Sequence, residues 1–184
     1  MSARINQSQF ALLGLLSFRP MSGYDLKQLS AWSVGHFWRE GYGQIYPTLR
    51  QLEKERLVTK KTQRQKGKPD RNVYSLTPAG KTRLEEWLVL PANPEVPRNE
   101  LLLKLFFGQW TPVEVSRRQV EDHRALLKQQ LVEYAEIRHR LQKENSADPG
   151  LPFWEMTLSY GEHRAKAELA WAEETLKKLR SRQS

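Results

Sequence analysis

Gln44, Thr48 and Gln51 recur at i, i+4 and i+7, a spacing that lines uncharged hydrogen-bonding side chains along one helix face. Such amides and hydroxyls read base edges in the DNA major groove. Tyr46 and Arg50 fall in the same segment and offer a phenol and a guanidinium to bases or adjacent phosphates. A second group of cations follows: Lys60, Lys61, Arg64, Lys66, Lys68 and Arg71 are opposed within their stretch by Asp70 alone. Contacts of that kind go to the phosphate backbone, so they set affinity more than sequence preference.

Catalytic chemistry is sparse by comparison. With no cysteine there is no thiolate, disulfide or Cys-based metal site. His36, His123, His139 and His163 are scattered without a triad pattern. Glu136-Ile-Arg-His139 has the spacing of a metal-ligating bundle helix, but no second Glu-x-x-His accompanies it. A solvated helix face is its default reading. Gly80-Lys81 lacks the flanking glycine of a phosphate loop. The expectation is a binding protein, not an enzyme, with no metal and no cofactor.

The elements that must position the polar face can be read outward from it. Ile45, Leu49 and Leu52 give the same segment an apolar stripe that needs a core. Pro47 is best tolerated near a helix start, which puts Gln44, Tyr46, Pro47 and Thr48 in the first turn. Upstream, residues 8–18 form a nearly all-apolar helix, and Arg19-Pro20-Met21 breaks it. Ser22-Gly-Tyr-Asp25 resembles a capping box opening a second helix to about Val34, with Tyr24, Leu29 and Trp32 expected in the core. Gly41-Tyr-Gly43 is a permissive turn. Downstream, residues 57–64 and 71–77 read as two strands around the turn Gln65-Lys-Gly-Lys-Pro-Asp70. Thr77-Pro78 then caps and starts a helix with Leu84, Trp87 and Leu88 on one face. Three helices followed by a basic hairpin is the order of a winged helix-turn-helix.

Pro91, Pro94 and Pro97 mark a stiff linker. Beyond it, residues 99–109 make a short helix, and Thr111-Pro-Val-Glu114 reads as a capping box for a long one ending near Glu144. Val113, Val120, Leu127, Tyr134 and Leu141 repeat every seven residues along it. A last helix, about 152–179, carries Trp154, Leu158, Gly161, Ala165, Leu169, Ala172, Leu176 and Leu179 at steps of three or four. Narrow apolar seams of this kind need each other and a second copy of the chain. Trp110, Phe153, Trp154, Tyr160 and Trp171 suit core or dimer packing better than a pocket for a planar ligand.

The charge of +9 is unevenly spread: residues 1–90 hold 15 basic and 7 acidic side chains, and residues 91–184 hold 15 and 14. A basic first half suits a polyanion, and a near-neutral second half does not need one. A polar N-terminus and the lack of a long apolar run favour a cytoplasmic protein with no membrane partner.

Read together, Leu13-Gly-Leu-Leu16, Met21-Ser-Gly-Tyr-Asp25, Phe37-Trp38, Tyr42-Gly-Gln-Ile-Tyr-Pro-Thr-Leu-Arg-Gln-Leu-Glu53, Lys68-Pro-Asp-Arg71 and Val73-Tyr-Ser-Leu-Thr-Pro-Ala-Gly80 carry a resemblance. Over essentially its full length the chain resembles the PadR family of bacterial transcriptional repressors, in the subgroup with a large C-terminal helical region. The resemblance implies a homodimer that represses a promoter and releases DNA when a small molecule binds. One departure is Arg56, where the family often has glycine before the strand.

The expected fold is mainly α with a small β-hairpin. It comprises a winged helix-turn-helix over 1–90, a Pro-rich linker over 91–97, and a helical dimerisation and effector-binding domain over 98–184. The expected partners are double-stranded operator DNA, a second copy of the chain and a small-molecule effector. Gln44, Tyr46 and Thr48 would meet bases or adjacent phosphates; Arg50, Lys60, Arg64, Lys66, Lys68 and Arg71 would meet the backbone. The other reading is a protein–protein module whose basic head binds an acidic partner, which would favour apolar anchors over the polar face seen here.

Overall fold

A computed structural model describes residues 7–35, 37–38, 42–65, 68–94 and 97–181, without side chains at 42, 65, 68 and 69. His36, Gly41 and Lys66 lie outside the described residues. The chain divides into two compact units, Met1–Asn93 and Pro94–Ser184.

The first unit runs α1 (Gln7–Phe18), β1 (Met21–Ser22), α2 (Gly23–Trp32), α3 (Tyr42–Lys54), β2 (Val58–Gln65), β3 (Lys68–Leu76) and α4 (Pro78–Leu88). Its core is built on α1, which buries Phe10, Leu12, Leu13, Leu15 and Leu16. Leu26 of α2, Ile45, Leu49 and Leu52 of α3, and Met21, Val58 and Tyr74 of the strands close over it. Truncating any one of these leucines would cost about 2–5 kcal/mol, because close packing leaves a cavity behind. Trp87 of α4 stacks on Phe10, with ring centroids 4.6 Å apart and planes 6° from parallel.

Local chemistry sets the element ends. Ser22 and Asp25 form the expected capping box: the Ser22 hydroxyl accepts from the Asp25 N–H, and Asp25 accepts from the Ser22 N–H. Thr77 caps α4 by accepting from the Gly80 N–H at 3.0 Å. After α3, the Leu57 N–H donates to the Leu52 carbonyl and the Arg56 N–H to the Glu53 carbonyl. That pair of bonds is a Schellman motif, and its left-handed position is filled by Arg56 at φ 58°.

The sheet is antiparallel with order β1-β3-β2, so the hairpin strand β3 is central. The two-residue strand β1, which pairs Met21 with Tyr74 and Ser22 with Val73, was not foreseen. Two residues are too few to show strand alternation.

The expectations for Tyr24, Trp32 and Pro47 need correction. Tyr24 and Trp32 are 62% and 52% exposed, because the core face of α2 is taken by Leu26 and Ser30. Pro47 is the sixth residue of α3, not in its first turn. It lies on the exposed face, and the residue four before it, Gly43, has open space where a side chain would stand. A proline ring crowds that earlier turn, and here nothing else does.

The second unit contains α5 (Glu100–Phe106), a 3₁₀ turn at Gly108–Trp110, α6 (Val113–Glu144) and α7 (Leu151–Arg180). α6 and α7, each about 45 Å long, form an antiparallel hairpin. The foreseen seams meet inside it: Leu127, Tyr134, Leu158 and Ala165 make one buried cluster, and Val120, Ala172 and Leu176 another. Gly161 makes room for Tyr134, whose ring lies 3.0 Å from where a Cβ would sit. Arg138 donates to Glu162 at 2.9 Å and Gln142 to Glu155 at 2.8 Å across the pair. The expected capping box at α6 does not form. The helix starts at Val113 with no side-chain cap, and the Thr111 hydroxyl turns back to donate to the Gly108 carbonyl.

Candidate nucleic-acid interface

The apolar stripe of α3 faces α1, which turns the opposite face of α3 outward. Gln44, Pro47, Gln51 and Lys54 lie three or four residues apart along that face, Arg50 flanks them, and all five are exposed. Tyr46 is 52% exposed beside them. Gln51 is held by its neighbour Glu55, which accepts from its side-chain amide.

Thr48 does not belong to this face. It is 5% exposed: it lies three residues after Ile45 and four before Leu52, at the edge of the apolar stripe, and the packing of α3 buries it. Its expected role as a base reader is therefore corrected to a core residue.

The hairpin supplies the cations, and among the described residues Lys60 and Arg71 have partners inside the unit. Lys60 pairs with Glu53 of α3 at 3.4 Å. Arg71 donates to Asp25 of the α2 cap. Arg71 therefore ties the wing to the start of α2, and its expected role as a free phosphate contact is revised accordingly. Lys61 and Arg64 are exposed on β2, and Arg64 sits at the irregularity between Gln63 and Gln65 where the register shifts. Lys68 is placed only as the first residue of β3.

Two groups here titrate away from their ordinary values. Burial opposes ionisation of Asp25. The Ser22 N–H and hydroxyl and the Arg71 guanidinium outweigh it and hold the carboxyl below the usual range. Burial pushes the Tyr74 phenol up, with Lys60 acting against it. Tyr74 is thus a neutral anchor beneath the Lys60–Glu53 pair.

Tyr46 also braces α2. A Cβ at Gly23 would come within 2.6 Å of its ring, so glycine there allows the first turn of α2 to meet α3 closely. Neither this approach nor the Arg71–Asp25 pair was visible beforehand, since each joins residues far apart in the chain.

In the second unit the five singled-out aromatics divide. Trp154 and Trp171 are half-buried, whereas Trp110, Phe153 and Tyr160 are 79%, 67% and 59% exposed. A groove of about 460 Å³ is lined by Arg138, Pro152, Glu155, Met156 and Ser159, with none of the five in its wall. Glu136 and His139 lie exposed on α6, and no group of three metal-ligating side chains occurs among the described residues. No helix among the described residues is long and apolar enough to cross a membrane.

Comparison with known proteins accounts for both units. Residues 12–86 match the transcriptional regulator PadR-like family, and residues 97–180 match the virulence activator alpha C-terminal family. The negative transcriptional regulator PadR of Bacillus subtilis is 28% identical over 173 residues, covering 91% of this chain and 94% of that protein. Its crystal structure with operator DNA aligns at 28% identity with a TM-score of 0.79, over 94% of this chain and 98% of that one. Its complex with p-coumaric acid aligns at 26% and 0.72, over 93% and 97%. The crystal structure of smu.1604c from Streptococcus mutans aligns at 29% and 0.84, over 93% and 99%. The Vibrio cholerae virulence activator AphA aligns at 26% and 0.73, over 94% and 98%. The winged helix-turn-helix order of the first unit, the long-helix pair of the second and these full-length matches agree: residues 12–86 form a PadR-like domain, and the chain is similar over nearly its whole length to PadR-like transcriptional regulators.

Proposed function

We propose that the protein is a cytoplasmic, homodimeric repressor that binds an inverted-repeat operator and releases it when a small molecule binds. The observation that carries this reading is the outward polar face of α3, Gln44 with Tyr46 and Arg50, standing beside a cationic hairpin. A major groove admits such a helix, and its side chains meet base edges while the hairpin cations meet phosphates. The net charge of the first half supports a polyanionic target. Gln44 and Tyr46 are assigned to bases or adjacent phosphates, and Arg50, Lys60, Arg64, Lys66 and Lys68 to the backbone. Lys60 exchanges its Glu53 partner for a phosphate on binding.

A second copy is the assigned cover for the apolar surface of the second unit. Phe106, Trp110 and Leu103 are 80%, 79% and 60% exposed around α5, and Leu126 and Met156 are 64% and 65% exposed on the hairpin. Exposure on this scale marks an interaction surface. Two-fold symmetry then dictates an inverted repeat, with half-sites roughly one or two helical turns apart.

The test is selection of duplexes from a random-sequence pool by the full-length protein, followed by gel shift and sedimentation. A palindromic consensus bound by a dimer is expected. Failure to enrich any sequence would defeat the proposal. Gln44→Ala should relax preference at one position of each half-site. Arg64→Ala should weaken every duplex and lower the salt slope by about 0.9 per lost phosphate contact. A reporter under the selected operator decides the sign of regulation. p-Coumarate is the first effector to try, since Bacillus subtilis PadR has been solved with it.

A further inference from the structure

Tyr24 holds a position in the first unit that the assigned DNA contacts do not explain. It is 62% exposed, while Leu26 and Ser30 of the same helix are buried at 0% and 8%. Packing does not hold it. Its partner is Gln28, one turn later and also exposed, whose side-chain amide donates to the Tyr24 hydroxyl at 3.0 Å. A hydroxyl that accepts in this way still has its own proton to give. Gln28 therefore orients the phenol while leaving it a donor.

The turn that carries Tyr24 is braced from two sides. Gly23 lies against the ring of Tyr46 on α3, closer than any side chain would allow. Asp25 is bound by Arg71 of the wing. The residues on either side of Tyr24 are thus fixed to the two elements assigned to DNA. Pairing with Arg71 also offsets the Asp25 carboxylate, which would otherwise repel a phosphate.

We propose that Tyr24 is a DNA-contacting residue whose hydroxyl, oriented by Gln28, donates to a backbone phosphate oxygen beside the groove occupied by α3. The assignment rests on the DNA-binding reading above. It differs from that of the cations in one measurable respect. A neutral donor displaces no counterion, so losing it lowers affinity without changing the salt slope.

The test compares wild type, Tyr24→Phe, Gln28→Ala and Arg64→Ala on a duplex selected by the wild-type protein from a random pool and on a random duplex of equal length. Tyr24→Phe removes one oxygen from an exposed site and should leave the unfolding midpoint unchanged. It should weaken both duplexes by the same factor, roughly three- to tenfold, at an unaltered salt slope. Gln28→Ala should show a smaller loss of the same kind, and Arg64→Ala should lower the slope. Unchanged affinity of Tyr24→Phe on both duplexes would overturn the inference alone. A loss confined to the selected duplex would overturn the phosphate assignment in favour of base reading. Failure of the wild-type protein to select any duplex would overturn the DNA-binding reading together with this one.

Discussion

Replacing Arg56 with glycine tests whether the hinge between α3 and the wing is strained. Arg56 occupies the left-handed position of the Schellman motif at φ 58°. Its N–H donates to the Glu53 carbonyl and that of Leu57 to the Leu52 carbonyl, so the backbone cannot relax without losing both bonds. A left-handed conformation costs an L-residue about 1–2 kcal/mol, because Cβ approaches the following carbonyl. Glycine avoids that clash but loses about 0.5–1 kcal/mol more in chain entropy on folding. The difference favours Arg56→Gly by about 0.5–1 kcal/mol. In a unit of this size that raises the unfolding midpoint by roughly 4 °C. Arg56→Ala is the control. It removes the same charge and side chain but keeps Cβ, so it should gain nothing. Calorimetry and urea denaturation of the full chain read both variants. If Arg56→Ala stabilised as much as Arg56→Gly, relief of charge repulsion in a basic unit would be the cause. The strain argument would then be refuted.

The other perturbations follow from single distances or charges. At Gly80 a Cβ would stand 2.1 Å from the Leu57 carbonyl oxygen, a backbone atom that cannot step aside. Gly80→Ala should therefore cost about 3 kcal/mol, and an unchanged urea midpoint would disprove the close approach of α4 to Leu57. The Asp25 carboxyl is depressed in the folded state, so its stabilisation is complete above about pH 4 and fades as pH falls through the folded value. Asp25→Asn should lower the urea midpoint at pH 7, and the gap to wild type should narrow on acidification; a gap constant down to pH 2 would exclude this linkage. At Gly161 a Cβ gains about 1 kcal/mol of helix propensity but would lie 3.0 Å from the Tyr134 ring. Overpacking costs about 1–3 kcal/mol, so Gly161→Ala should be destabilising on balance, and a raised midpoint would show that the helices separate freely there.

The linear chain already carried most of the architecture. Residues close in sequence determine a cap, a turn or an amphipathic stripe, so the Ser22–Asp25 box, the Thr77–Pro78 start and both long helices were legible. The exposure of Gln44 and Arg50 was legible for the same reason: once Ile45, Leu49 and Leu52 need a core, the opposite face of α3 must be outside. Local reasoning failed at the borders of stripes. Thr48 lies between the polar and apolar faces, and only packing against α1 decides that it is buried. Tyr24 has the size and apolar ring of a core residue, yet Leu26 and Ser30 already fill the inner face of α2, so it stands in solvent.

What the sequence alone determined is the chemistry on offer: a polar helix face, a cationic hairpin, no thiols, and apolar seams at helical spacing. Only the tertiary structure decided which groups remain available. Arg71 is drawn to Asp25 across 46 positions of sequence, and Lys60 to Glu53 on the preceding helix. The small residues of α7 are used within its own hairpin with α6. An ion pair or a close approach depends on distances of a few ångströms between such segments, and those distances exist only once the core has formed.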